Sequence, residues 1–147
     1  FCINIEKTPS EENLIIHKGK HTMVMLNKYP YSNGHLLLAP IIHVSSIDEL
    51  SESATIELAI LSQVCVKTLR HAYNPEGFNI GINIGAAAGA GVPDHVHMHV
   101  LPRWSGDTNF MTSIAETRVL PEEIGVTYQK LQRIIRQIVD EKQIGST

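Results

Sequence analysis

At 147 residues and 43% hydrophobic composition, the chain is long enough for one packed core and about one domain in size. Its 12 basic and 15 acidic residues give a formal net charge of −3, which argues against a protein built to neutralise nucleic acid. No apolar run approaches the ~20 residues of a membrane span, and two cysteines, Cys2 and Cys65, suggest no disulfide framework. A cytoplasmic, reducing setting is expected, with no nucleic-acid or membrane partner.

The chain opens on Phe1 with no visible signal peptide, so a segment upstream is expected to have been cut or left out. Residues 13–17 and 22–27 read as two short strands joined by the Lys18-Gly19-Lys20 turn. After the Pro30–Gly34 turn, residues 35–39 form a third apolar strand stopped by Pro40. From Glu49 to Tyr73, Ile56, Ala59, Ile60, Val64 and Leu69 recur at helical spacing and are expected to face inward. Asn74-Pro75-Glu76-Gly77 ends that helix. Cys65 reads as a small buried hydrophobe within it.

Residues 78–83 alternate apolar and polar as a half-buried strand, and the glycine- and alanine-rich stretch Gly85–Gly91 follows. Glycines there let backbone N–H groups approach a ligand and form a concave anion site. Residues 95–101 alternate again as a strand. From Pro121, Ile124, Tyr128, Leu131, Ile135 and Ile138 mark a closing helix. Short strands around one long helix predict a single α+β domain over residues 1–147, built on an antiparallel sheet of about five strands.

The chemistry concentrates in Asp94-His95-Val96-His97-Met98-His99-Val100-Leu101. On a strand, His95, His97 and His99 share one face, roughly 6–7 Å apart, while Val96, Met98 and Val100 share the other. Imidazole acts as acid, base or nucleophile near neutrality. A surface strand that merely carries three histidines explains them poorly. Alternating histidines also suit zinc, although only Asp94 supplies a nearby carboxylate. Beside the glycine loop, the histidine face reads as a nucleophile next to a phosphate cradle.

The run from Asn83 through Gly89-Ala90-Gly91-Val92 to His95-Val96-His97-Met98-His99-Val100-Leu101-Pro102-Arg103 resembles the signature of the histidine triad superfamily. Asn27, Gly34-His35 and Pro40…His43 fall where that family has its ribose-side residue, its Gly-His strand and its Pro-x-x-His turn. Residues 102–111 and 118–121 resemble the branch containing bacterial diadenosine tetraphosphate phosphorylases and fragile histidine triad hydrolases. Where many phosphorylases carry glutamine, this chain has His99.

The resemblance implies a histidine triad fold and dinucleoside polyphosphate cleavage through a nucleotidyl-His97 intermediate, resolved by water or by phosphate. His99 would hold phosphate and protonate the leaving group, and His95 would orient its neighbours or bind metal. His35 would fix a triad tautomer. Asn83 and the Gly89, Ala90 and Gly91 amides would hold the α-phosphate, Asn27 the ribose and Arg103 the distal phosphates. The covalent step needs no cofactor, Mg²⁺ arriving only as a substrate-bound ion. Cys2, His43 and His95 match three positions of a four-ligand structural zinc site, the fourth expected upstream of Phe1. A homodimer is implied, with the long helix and the C-terminal tail as candidate surfaces. A nucleoside 5′-phosphoramidase and a low-activity nucleotide sensor are the rival functions.

Overall fold

The computed structural model describes residues 1–2, 7–30, 32–107 and 122–144. The motif stretches at 108–111 and 118–121 lie outside the described residues. Five antiparallel strands, β1 (Ile15–Lys18), β2 (Thr22–Leu26), β3 (Leu36–Pro40), β4 (Gly77–Ile82) and β5 (Met98–Arg103), pair in the order β1-β2-β3-β5-β4. Among the described residues, two α-helices, α1 (Glu52–Tyr73) and α2 (Ile124–Ile144), join the sheet in the α+β arrangement expected from the sequence.

Asn13 shapes the start of β1. Its Oδ1 accepts the Ser10 and Ile15 amide N–H groups, and its Nδ2 donates to the Thr8 carbonyl. These bonds flank Leu14, a non-glycine residue at φ 60°, a backbone state that costs about 1–2 kcal/mol without such support. Ser51 caps α1 by accepting the Ala54 N–H, and Asn74 closes it in the left-handed conformation.

Strand alternation divides the sheet into two faces. Val24, Leu26, Leu36, Leu38 and Val100 meet Leu58, Leu61, Val64, Cys65 and Leu69 of α1 and Tyr128, Leu131 and Ile135 of α2. That layer is the main core. Ile15, Met23, Met25, Leu37 and Ala39 form a smaller cluster, with Phe1 against it. His99 pairs with Leu37 across β5 and β3, which puts it on this second face.

Several sequence expectations change. Ile56 and Ile60 are exposed, because α1 turns Ala54, Leu58, Leu61 and Val64 to the core instead. β4 is half-buried through Phe78 and Ile82, as expected, but Ile80 on the same alternating face is exposed. The histidine strand begins at Met98 rather than His95, and Pro40, expected to stop β3, is its last residue. Having no N–H, Pro40 cannot extend the ladder toward residue 96. Val96 instead donates its N–H to the Val44 carbonyl.

Candidate active site

The shortened strand splits the three histidines. His95 and His97 are almost fully buried, at 1% and 6% exposure, whereas His99 is intermediate. His97 and His99 line a cavity of about 750 Å³ together with Asn27, Asn83, Gly89 and Gly91. Their rings lie 4.9 Å apart between centroids. His95 does not line that cavity. It turns toward Cys2 and His43.

The tautomer of His97 follows from its partner. Nδ1 lies 2.9 Å from the His95 carbonyl oxygen, which can only accept, so Nδ1 carries the proton and Nε2 holds the free electron pair. His95 Nε2 likewise donates to the Pro40 carbonyl at 2.8 Å, leaving its Nδ1 as the free nitrogen. Burial lowers the His95 pKa, against the opposing effect of the Pro40 hydrogen bond, and the neighbouring His43 lowers it further. Burial and the neighbouring His97 also lower the His99 pKa, favouring a neutral ring.

His35 is completely buried. Its Nε2 lies 2.9 Å from His99 Nδ1, and its Nδ1 lies 3.2 Å from Asn27 Nδ2. It therefore sits behind His99, between that ring and Asn27.

The glycine loop departs from expectation. Gly85 and Gly89 adopt positive φ around a short 3-10 turn, Ala86–Ala88. That turn engages its own donors: Gly89 N–H bonds the Ala86 carbonyl, and Ala90 N–H bonds the Gly85 carbonyl. The Gly89 and Ala90 amides are thus turned into the loop, and Ala90 is not among the cavity-lining residues. Asn83 Nδ2 donates to the Gly89 carbonyl at 3.4 Å, tying the loop to the end of β4. A Cβ at Gly91 would meet nothing within 4 Å, so this wall is open.

Arg103 also lies elsewhere. Its guanidinium pairs with both oxygens of Asp107 at 2.5 and 2.6 Å and with Asn79 Oδ1 at 2.6 Å. It lies at the far end of β5 and is not among the cavity-lining residues. Leu14, Met25, Leu37, Lys28 and Tyr29 do line the cavity, and the sequence reading missed them. For Met25 and Leu37 the available signal was the near-continuous apolar run of β2 and β3. A strand apolar on both faces requires cover on both.

Cys2 Sγ, His43 Nδ1 and His95 Nδ1 form a triangle with sides of 3.0, 3.3 and 3.4 Å. Zn–N and Zn–S bond lengths set tetrahedral edges of about 3.3 Å between nitrogens and about 3.6 Å between sulfur and nitrogen. The donor atoms and their spacing therefore fit a tetrahedral cation. The His95 Nε2–H bond to Pro40 supplies the outer support such ligands need.

A buried histidine whose Nε2 is left without the tautomeric proton, a second histidine facing the same cavity and a glycine-bounded wall make this cavity the candidate active site. The chain belongs to the histidine triad family, whose HIT domain matches residues 8–106. It is 38% identical over 118 residues to a Mycobacterium tuberculosis protein named AP-4-A phosphorylase, covering 80% of this chain and 60% of that protein. The chain thus spans only 60% of the length of this relative. A hypothetical histidine triad nucleotide-binding protein from Sulfolobus tokodaii superposes with a TM-score of 0.71 at 28% identity, covering 95% of this chain and 91% of that one. A zinc-bound histidine triad family protein from Mycobacterium smegmatis shares the fold, with a TM-score of 0.75 at 24% identity and coverage of 95% and 94%.

Proposed function

We propose that this protein is a nucleotide hydrolase or transferase acting on dinucleoside polyphosphates through a nucleotidyl-His97 intermediate. The observation that carries the reading is the bond from His97 Nδ1 to the His95 carbonyl, which leaves Nε2 as a nucleophile at the wall of a large cavity. Nε2 attacks the α-phosphorus, and an N–P bond forms as the bond to the leaving polyphosphate breaks. The polyphosphate keeps that electron pair. The imidazole, now positively charged, is stabilised by its bond to the carbonyl. Water or phosphate then displaces the histidine, returning the pair to Nε2; a proton from water passes to solvent. Dividing one displacement into two easier ones is the gain of covalent catalysis.

His99 donates to the phosphate, Asn83 and Gly91 bound its position, and Asn27 stands on the ribose side of the same wall. The identity to a protein named AP-4-A phosphorylase supports a dinucleoside tetraphosphate as substrate. Cys2, His43 and His95 would hold zinc as a structural ion. The open edge of β4 and the exposed Ile56, Ile60 and Ile80 support a homodimer built on α1 and β4. The apolar face of α2, by contrast, packs into the core.

The deciding experiment gives the protein diadenosine tetraphosphate with and without phosphate and separates the products. ADP formed only with phosphate identifies a phosphorylase, and AMP with ATP in its absence identifies a hydrolase. No turnover under either condition refutes the dinucleotide reading.

A further inference from the structure

Both ends of the Asn27 amide are engaged within the protein. The Tyr29 backbone N–H donates to Asn27 Oδ1 at 3.0 Å. A backbone N–H can only donate, so the oxygen end faces Tyr29 and Nδ2 faces His35. That Nδ2 lies 3.2 Å from His35 Nδ1, and an amide nitrogen only donates. His35 Nδ1 therefore accepts, which places the His35 proton on Nε2. His35 Nε2 lies 2.9 Å from His99 Nδ1, so His99 accepts there and keeps its own proton on Nε2, the nitrogen turned away from His35.

We infer that Asn27 is a positioning residue: acting through His35, it fixes the proton of His99 on Nε2 and makes His99 a neutral hydrogen-bond donor to the substrate phosphate. An imidazolium at His99 would also carry a proton on Nδ1, and that proton would point at the His35 Nε2–H. His35 is completely buried, so bulk solvent does not reach it to offset two N–H groups facing each other. The family resemblance implies a proton transfer from His99 to the leaving group; the bonding pattern favours donation without transfer. The polyphosphate leaves as an anion, and the His99 proton stays on nitrogen. The catalytic meaning rests on the nucleotidyl-transfer reading above, whereas the position of the proton is a property of the resting protein.

Long-range ¹H–¹⁵N correlation of the imidazoles at neutral pH, on the full chain, reads each tautomer directly. The expected spectrum has His35 and His99 protonated on Nε2 and His97 on Nδ1. In Asn27→Asp the carboxylate only accepts, and a proton appears on His35 Nδ1. In Asn27→Leu, His35 and His99 become tautomer mixtures. With diadenosine tetraphosphate, Asn27→Leu lowers kcat by about tenfold, less than the 10²- to 10³-fold loss of a donor removed outright. KM changes little, and the same kcat loss persists with a 2′,3′-dideoxy analogue.

A wild-type His99 protonated on Nδ1 overturns the inference, as does an unchanged His35 tautomer in Asn27→Asp. A defect confined to KM that vanishes with the dideoxy substrate also overturns it and leaves Asn27 a ribose ligand only. Absent turnover of diadenosine tetraphosphate by the wild type would refute the dinucleotide reading alone, not the tautomer assignment. The wild-type spectrum still decides the tautomer assignment if a variant does not fold.

Discussion

Gly34→Ala tests how the fold holds the support behind the triad. Gly34 is buried at φ +74°, and a Cβ there would lie 2.8 Å from Tyr73 Cε2 and 2.9 Å from Leu69 Cδ2. Neither neighbour yields easily. Leu69 is completely buried, and the Tyr73 ring is held by its hydroxyl bond to Glu122 and by Lys130 over its face. The left-handed backbone contributes about 1–2 kcal/mol of strain to a residue bearing Cβ. Overpacking adds about 1–3 kcal/mol. The expected loss is therefore about 2–5 kcal/mol, a large part of the about 5–15 kcal/mol of a typical domain. With m near 2 kcal/mol/M, the urea midpoint falls by about 1–2.5 M. Relief of the clash also displaces His35, whose carbonyl accepts the Asn27 N–H, so kcat falls in the fraction that remains folded. A loss below about 0.5 kcal/mol would show that the Gly34 turn is not sterically fixed, and the packing argument would fail.

His97→Ala is expected to reduce turnover by about 10⁴- to 10⁶-fold while titration calorimetry still detects nucleotide binding; turnover near wild type would remove His97 as nucleophile. Added zinc should raise the melting temperature of the wild type and bind stoichiometrically, but do neither in His43→Ala; equal zinc uptake by both proteins would refute the Cys2–His43–His95 site. Turnover should survive a chelator apart from any loss through stability, and immediate abolition in protein that stays folded would indicate catalytic metal. Burial tends to raise the Glu122 pKa, but hydrogen bonds from Lys130, Tyr73 and Thr127 together hold it below the ordinary 4.5. A depressed carboxylate stabilises the fold above its unfolded pKa, and that contribution fades as pH falls through the lower folded value. Urea melts of wild type and Glu122→Gln should therefore differ most above about pH 5 and converge below the ordinary carboxylate range; a gap that widens in acid would reverse the assignment.

The sheet and both helices were legible because their signals are local: apolar runs, glycine and proline punctuation, and helical spacing around Leu131 and Ile135. Legibility failed where a distant partner decides the outcome. Alternation put His95, His97 and His99 on one face, but Pro40, 55 residues from His95, ends the ladder and accepts the His95 Nε2–H. Ile56 and Ile60 fit an inward stripe as well as Leu58 and Leu61 do; only the packing of α1 on the sheet and α2 decides that the latter are buried. Arg103 resembled a phosphate ligand until Asn79 and Asp107 were brought beside it. The glycine loop suggested available amides, whereas its 3-10 turn engages the N–H groups of Gly89 and Ala90.

The split between His95 and its neighbours gives the triad a division of labour that strict alternation would not. The His95 ring faces Cys2 and His43, while its main-chain carbonyl fixes the tautomer of His97. One residue thus joins the metal-type corner to His97, the proposed nucleophile, through its own backbone. An ion held by the His95 ring would restrain that backbone and hence the His97 proton, without touching substrate. Replacing His95 and removing metal should then differ: the substitution leaves the carbonyl in place but loses the ring's anchor to Pro40, whereas metal removal keeps that anchor. The arrangement predicts the larger loss of kcat for His95→Ala, because the Pro40 bond locates the His95 carbonyl whether or not an ion is bound. A metal-free wild type as impaired as His95→Ala, with both proteins folded, would place the orienting role in the ion instead.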